Sequence, residues 1–190
     1  MEQSQNRSGM SSRKVTFFRC KGCRRVCRRD QGEDICSHCG GRTETEGWPD
    51  SPGQRLFEAV EAFFERGDRD LTVILVCDLL EGLLEMFFRD MFMKQGKPRS
   101  WIQLTLKKNK SLDLRLKYLF KETLNVKFPS VIEGTAFEGF DKRWAAIRSV
   151  RGQIFHANFP AVDEKDAHES YDLSRESLDL FAWMNNTYCV

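Results

Sequence analysis

Four cysteines near the N-terminus limit what this chain can fold into more than any other feature. Cys20 and Cys23 form one Cys-x-x-Cys pair, twelve residues follow, and Cys36 and Cys39 form a second pair. Two such pairs can hold one metal ion in a tetrahedral cage of thiolates. Five of the seven cysteines crowd into residues 20–39, and in a reducing compartment this clustering favours metal binding over disulfides.

The segment around the two pairs resembles a zinc ribbon, a small hairpin held together by its metal ion. We expect Gly22 and Gly40 to ease the two tight turns and Gln31-Gly32 to lie near the tip of the hairpin. A module over residues 13–43 is too small to bury enough apolar surface to fold alone, so the ion would supply its stability. Zinc is the expected ion because the sequence has no further cluster or cofactor motif for electron transfer, although thiolate tetrahedra also accept iron.

Cys27 is a fifth thiol between the two pairs. It has no partner at the spacing of a metal-binding turn, so we expect a free cysteine on the hairpin. The alternative is that it replaces one of the four ligands.

Positive charge is concentrated in the same segment. Residues 13–30 contain eight basic residues and one acidic residue, whereas the whole chain has a net charge of only +2. Such a patch attracts polyanions, and its members are candidates for contacting a nucleic-acid backbone. These candidates are Lys21, Arg24, Arg25, Arg28 and Arg29. The alternative is that they offset the negative charge that four thiolates leave on a zinc site.

The remaining sequence divides the chain further. Residues 1–12 are polar and lack the apolar segment of a secretory signal, so we expect a disordered tail. Residues 44–53 contain Gly, Pro and small polar residues and are predicted to be a linker. No run of about eighteen or more apolar residues occurs, so we expect a cytoplasmic protein with no membrane span.

Residues 54–190 are predicted to form an all-α, up-and-down helical bundle after the small β ribbon, which makes the fold mainly α. Apolar residues recur at helical spacing in several segments, and β-strand alternation is absent after residue 50. Gly67 and Gly96 are expected to stop the first two helices, Asp68 or Asp70 to cap the second, and Ser111 to cap the third. The predicted helical segments are 54–67, 71–96, 111–124, 137–156 and part of 163–186.

The second predicted helix has three acidic residues on one face. Asp78, Glu81 and Glu85 are spaced i, i+3, i+7, and Arg89 follows Glu85 at the favourable i+4 spacing for an ion pair. One interpretation is a solvated stripe on a mostly buried helix. The other is that Glu81 or Glu85 pairs with a basic residue of the fourth helix.

Two arginines and a histidine lie at the end of the fourth predicted helix, in the stretch RSVRGQIFH. Arg148 and Arg151 are neighbours at i, i+3, but His156 follows Arg151 by five residues, about 140° around a helix. The two side chains can act together if the helix ends near His156, because Pro160 disfavours continuation. They can also act together if a second copy supplies the complementary pair across a two-fold axis.

The run RGQIFH resembles the Arg-x(4–6)-His signature of the HEPN superfamily. The aromatic-rich sequence leading into it resembles that of the family, and VILVCDLLEGLLEMFFRDMF resembles the long early helix. The resemblance covers roughly residues 54–188 and leaves the ribbon outside. It implies a dimeric, metal-independent endoribonuclease of the toxin or antiviral-defence type, with RNA as its substrate and an antitoxin or regulatory protein as a candidate partner.

Carried onto this sequence, the resemblance implies that Arg151 and His156 are the catalytic pair of a cleft between two subunits. Their chemistry fits, because an imidazole transfers protons near neutral pH and a guanidinium stabilises charge on a phosphate. The products would be a 2′,3′-cyclic phosphate and a 5′-hydroxyl. Candidate substrate-positioning residues are Arg148, Asn158, Glu81 and Glu85.

Gly152 departs from the family pattern, in which a polar residue commonly follows the arginine. The change removes a hydrogen-bonding side chain beside the proposed site and weakens the helix locally. It favours an alternative in which the ribbon and bundle form a non-catalytic adaptor that binds nucleic acid or protein, and in which His156 only packs or caps the helix.

Overall fold

The computed structural model describes residues 16–29, 35–41, 45–156 and 162–190. A small antiparallel sheet is followed by a helical bundle, which confirms the predicted mainly-α fold class. The expected disordered tail over 1–12 and the expected hairpin tip at Gln31-Gly32 lie outside the described residues.

The sheet has three strands in the order β2-β1-β3, both neighbouring pairs being antiparallel. The third strand falls inside the predicted linker over 44–53, so the structure corrects that prediction. Its pairing is stabilised by Trp48, which lies opposite Phe17 in the ladder and packs against it edge-on at 5.6 Å. The strands are β1 (Thr16–Cys20), β2 (Val26–Arg29) and β3 (Thr45–Trp48).

The bundle contains four long helices and several short segments. No helix of the described ranges is long and apolar enough to cross a membrane. The long helices are α1 (Ser51–Arg66), α2 (Arg69–Lys94), α7 (Phe140–Ile154) and α8 (Glu164–Tyr188). The shorter segments are α3 (Arg99–Lys108), α4 (Leu112–Leu114), a π-helical turn (Arg115–Leu119), α5 (Phe120–Leu124) and α6 (Phe128–Ile132).

The predicted helix boundaries hold where a local stop or cap signal is present. Gly67 and Gly96 adopt left-handed φ angles of 78° and 73° just after α1 and α2. The Oγ of Ser111 accepts a hydrogen bond from the backbone N–H of Leu114 at 3.3 Å, as the N-cap prediction requires. Asp68 lies at the N-cap position of α2, but its side chain makes no capping hydrogen bond.

Helix α2 is at the centre of the bundle because its apolar residues cover nearly all of its circumference, a pattern typical of an enclosed helix. It packs against α1, α7 and α8. Around its second half lies an aromatic core in which the rings of Phe88 and Phe120 are 5.0 Å apart, and Trp144 of α7 is 1% exposed. Phe128 of α6 contacts the rings of both Phe120 and Trp144, so aromatic packing connects α7 to α2 through α5 and α6.

The ribbon is docked on the bundle through α2 and α8. The side-chain amide of Asn186 accepts from the backbone N–H of Val26 at 2.7 Å and donates to the Val26 carbonyl at 2.8 Å. Arg19 pairs with Asp90 of α2. Phe17, Val26 and Trp48 belong to the same buried apolar cluster as the core of the bundle, so the two parts share one core.

We predict that Asn186→Ala loosens the ribbon without unfolding the bundle. The backbone groups of Val26 lose both of their side-chain partners, which should lower the free energy of unfolding by about 1–3 kcal/mol. Chemical denaturation measures the loss, and hydrogen exchange should accelerate in β2. Thr187→Ala, at an exposed neighbouring position, should change stability by less than about 0.5 kcal/mol. Equal effects of the two substitutions would contradict this docking role.

Candidate functional site

The two cysteine pairs lie in turns that share the same backbone bonding. The N–H of Arg24 donates to the carbonyl of Cys20 at 2.8 Å, and the N–H of Gly40 donates to the carbonyl of Cys36 at 2.9 Å. Both donors are left-handed, with φ angles of 63° and 67°. The prediction that Gly22 eases the first turn is therefore wrong, because Arg24 takes the left-handed position and Gly22 has no positive φ.

Four sulfurs converge between these turns. The Sγ atoms of Cys20, Cys23, Cys36 and Cys39 all lie within 4.8 Å of one another. Those of Cys20 and Cys39 are 3.8 Å apart, and those of Cys23 and Cys36 are 3.6 Å apart. A tetrahedral site with metal–sulfur bonds of about 2.3 Å requires sulfur–sulfur distances of about 3.8 Å. The cysteines are free thiols rather than disulfides, so their geometry fits one tetrahedrally bound metal ion.

Cys36 is the most acidic of the thiols whose pKa departs from the ordinary value. Burial raises its pKa, but the backbone N–H groups of His38 and Cys39 and the thiols of Cys27 and Cys23 hydrogen-bond its sulfur and bring the pKa down to about 6. The N–H of His38 lies 3.4 Å from this sulfur. A backbone-stabilised thiolate of this kind is a ready ligand for a metal ion.

Cys23 has the opposite tendency. A backbone hydrogen bond from Arg25 lowers its pKa, but burial and hydrogen bonds with the other three cage thiols outweigh this and raise the pKa to about 12. A metal ion binds the thiolate, so binding at this position must displace a proton. The affinity of the cage for a metal ion therefore depends on pH.

Cys27 packs against the cage from inside the ribbon. Its side chain is buried beside Phe18, and its Sγ lies 3.5 Å from that of Cys36. Burial and the Cys36 thiol raise its pKa to about 11, which favours a protonated thiol. Cys27 is therefore not one of the four converging ligands but a small apolar group of the ribbon interior.

The basic candidates of the ribbon lie on its exposed side. Lys21, Arg24, Arg25 and Arg28 are exposed. Arg25 lies 3.3 Å from the ring of His38, and Arg28 lies 3.8 Å from Asp179 of α8. The side chain of Arg29 lies outside the described part, although its backbone belongs to β2. Lys21, Arg24 and Arg25 lie in or next to the first cysteine turn, so their charges are concentrated at that end of the ribbon.

Arg151 projects from the last turn of α7 onto α2. Its two terminal nitrogens donate to Glu81 Oε1 at 2.8 Å and to Asp78 Oδ1 at 2.9 Å. The structure thus bears out the interpretation in which Glu81 reaches a basic residue of the fourth predicted helix, rather than a fully solvated stripe. The guanidinium side chain is 28% exposed, so a ligand can still approach it.

The third nitrogen of the Arg151 side chain has no partner. Nε is buried and makes no hydrogen bond within the described part of the chain. Arg151 therefore binds α2 through its two terminal nitrogens alone among the described residues.

His156 lies just beyond α7, which ends at Ile154 as the helix-end alternative requires. Its side chain is exposed, and the neighbouring Phe155 is 66% exposed. No hydrogen bond of the His156 ring occurs within the described ranges. Asn158 lies outside those ranges, so its predicted positioning role has no structural description.

The remaining positioning candidates are engaged in other ion pairs. Arg148 lies 3.3 Å from Asp113. Glu85 makes the predicted i, i+4 pair with Arg89 at 3.1 Å and a second bond to Arg115 at 2.8 Å. The structure therefore brings Glu81 to Arg151 but directs Glu85 away from it.

Sequence reasoning missed Arg115, which is 8% exposed and lines a cavity with Glu85. The signal was present, because Arg115 occupies the i+3 position between Leu112 and Leu119 on the apolar face of a predicted helix. A charged residue on such a face needs a partner, and Glu85 supplies it.

Comparison with protein-family models, with curated proteins and with solved structures finds no match to this chain. The site is therefore interpreted from its own geometry.

We predict that the cage binds a metal ion more weakly as the pH falls. Because the Cys23 thiol must lose its proton, the dissociation constant should rise at least about tenfold for each unit between pH 8 and pH 6. Competition against a metal chelator measures it.

Three variants test the ligand assignment. Cys39→Ser should lose tight binding, whereas Cys27→Ala and Cys189→Ser should retain one ion per chain with the same pH dependence. Loss of the ion from Cys27→Ala would show that the four-cysteine assignment is wrong.

Proposed function

We propose that the protein is a dimeric, metal-independent endoribonuclease of the HEPN type, with Arg151 and His156 in its active site. The observation that carries the proposal is their placement. Arg151 is anchored on α2 yet partly exposed, and His156 is exposed two residues past the end of the same helix. A fixed cation and an accessible imidazole five residues further along the chain are the two kinds of group that RNA cleavage by its own 2′-hydroxyl uses.

The chemistry needs only groups of the protein and the RNA. The 2′-hydroxyl loses its proton and its oxygen attacks the adjacent phosphorus. The bond from phosphorus to the 5′-oxygen breaks, and the 5′-oxygen takes up a proton. His156 takes up or supplies that proton. Arg151 stabilises the charge that builds on the phosphate oxygens, while Asp78 and Glu81 hold its guanidinium in place.

The end of α7 also supports a dimer. Phe155 is 66% exposed next to His156, and covering such a ring by a second copy would favour association at this position. A two-fold axis there would bring two copies of the Arg151–His156 pair to one cleft, so that one imidazole accepts the proton and the other donates it.

For the ribbon we propose a zinc ion with a structural role. Four thiolates in a closed tetrahedral arrangement are the donor set of structural zinc sites, which have no open position for a substrate. Iron also accepts such a set, so metal analysis of the purified protein is the test.

A second candidate function is an adaptor that binds nucleic acid without cleaving it. Two observations favour it. Asp78 and Glu81 offset the charge of Arg151, which weakens its attraction for a phosphate. Arg24 occupies a left-handed position that glycine would adopt with less strain, so its side chain is kept at some energetic cost.

We predict that His156→Ala abolishes RNA cleavage without destabilising the fold. General acid–base catalysis contributes about 10²- to 10⁴-fold, and the rate should fall by that factor. The side chain is exposed, so the free energy of unfolding should change by less than about 0.5 kcal/mol. The activity is measured as cleavage of single-stranded RNA in buffer without divalent cations. New 5′-hydroxyl ends are then detected by direct phosphorylation of the products.

His168→Ala is the matched control, because His168 is also exposed and lies on α8. It should cleave like the unaltered protein. Wild-type cleavage by His156→Ala, or a monomeric mass in solution, would refute the composite site. A dimer that binds RNA but never cuts it would support the adaptor instead.

We predict that Arg24→Gly weakens RNA binding while keeping the ribbon folded. Glycine relieves the left-handed strain, so metal content should stay the same and stability should not fall. The slope of log K against log salt should decrease by about one phosphate contact. Lys142→Gln, an exposed change on α7, is the control. Unaltered affinity and salt dependence in Arg24→Gly would exclude this position from the interface.

A further inference from the structure

A cavity of about 490 Å³ lies between the second half of α2, α3 and the π-helical turn. Pockets for small molecules have volumes of about 300–1,000 Å³, so this one is large enough for a compact ligand. It is separate from the Arg151 site, because Arg151 bonds Asp78 and Glu81 in the first half of α2. We propose that this cavity binds a phosphorylated small molecule that also has an apolar or aromatic body.

The charge of the cavity indicates an anion with more than one negative charge. Five of its lining side chains are basic and one is acidic. The single acid, Glu85, already bonds Arg89 and Arg115. Arg99, Lys107 and Lys110 have no ion-pair partner within the described ranges, so three cations face the cavity without a counter-charge. A phosphate dianion or a diphosphate supplies that charge.

Arg115 distinguishes this cavity from an ordinary basic surface. Its side chain is 9% exposed, and it is fixed by bonds from Nε to the Asn109 carbonyl at 3.0 Å and from Nη2 to Glu85 at 2.8 Å. Its remaining N–H groups are held in one orientation at the cavity wall. Arg115 begins the π-helical turn, a rare distortion that occurs frequently at functional sites. Solubility alone would not require a buried, oriented guanidinium.

Part of the lining is apolar, and most of it belongs to α3, the helix that also carries Arg99 and Lys107. Ile102 and Leu106 of α3 are 3% and 6% exposed, and Met93 of α2 is 45% exposed. Gln103 lies on the same face of α3, and its amide can both donate and accept hydrogen bonds. A ligand that places a phosphate against the basic residues and a ring or short chain against the apolar residues uses both kinds of lining. Inorganic phosphate uses only one of them.

The proposal is tested by isothermal titration calorimetry of the full chain with three probes in magnesium-free buffer. The probes are inorganic pyrophosphate, ADP and a short-chain phosphatidic acid below its micellar concentration. We expect at least one of the two organic phosphates to bind at least about tenfold more tightly than pyrophosphate, because only they reach the apolar residues. Which of them binds tells whether the source is a soluble metabolite or a lipid headgroup.

Charge-reversal variants locate the binding. Lys107→Glu with Lys110→Glu should weaken the organic phosphate at least about tenfold. The control is Lys108→Glu with Lys121→Glu, which makes the same charge change at exposed positions outside the cavity. Its affinity for the organic phosphate should be much closer to that of the wild type. Met93→Gln, at a partly exposed position, should weaken the organic phosphate but not pyrophosphate.

Four outcomes would overturn the proposal. The first three are no binding of any probe, an affinity for pyrophosphate equal to that for the organic phosphates, and equal losses of affinity in the cavity and control variants. The fourth is that a single-stranded RNA, titrated in the same way, binds more tightly than the organic phosphates and loses affinity in the same cavity variants. The proposal does not rest on the nuclease function. RNA cleavage by the wild type is measured separately, and the titrations can be interpreted whether or not the protein cleaves RNA.

Discussion

The structure depends on the burial of α2, an apolar helix from which four carboxylates hold three other parts of the chain. An enclosed helix can keep a charged group only if the group reaches a partner at the edge of the core. Each of these carboxylates pairs with an arginine from another element. The pairs are Asp78 and Glu81 with Arg151, Glu85 with Arg115, and Asp90 with Arg19. The ribbon, the π-helical turn and α7 are thus all attached to one helix.

This arrangement explains what could be read from the sequence. Signals that act within a few residues were sufficient where they occurred: Gly67 and Gly96 end helices, Ser111 caps one, and four cysteines at a fixed spacing converge. The acidic stripe on α2 was recognisable from its spacing. Local patterns therefore predicted the fold class and the four cysteines that converge.

Features that depend on distant parts of the chain were not accessible in the same way. The pairing of Arg19 with Asp90 spans 71 residues, and nothing near Arg19 distinguishes it from the exposed arginines that follow. β3 was assigned to a linker because Gly and Pro surround it, yet Trp48 finds its partner in β1. The sequence likewise left open which acidic residue pairs with Arg151, since three carboxylates share one face of α2. The catalytic role of Arg151 and His156 rests on chemistry and placement and remains a proposal.

The docking of the ribbon has a consequence for the lifetime of the protein in a cell. Phe17, Val26 and Trp48 complete a core that otherwise belongs to helices, and their positions are set by strands that an ion held by the four cysteines would stabilise. Ligands that bind only the native state raise its stability by mass action. The supply of that ion would then help to set the lifetime of the entire chain, since metal-free molecules would expose to proteases the surface of α2 and α8 that the ribbon covers.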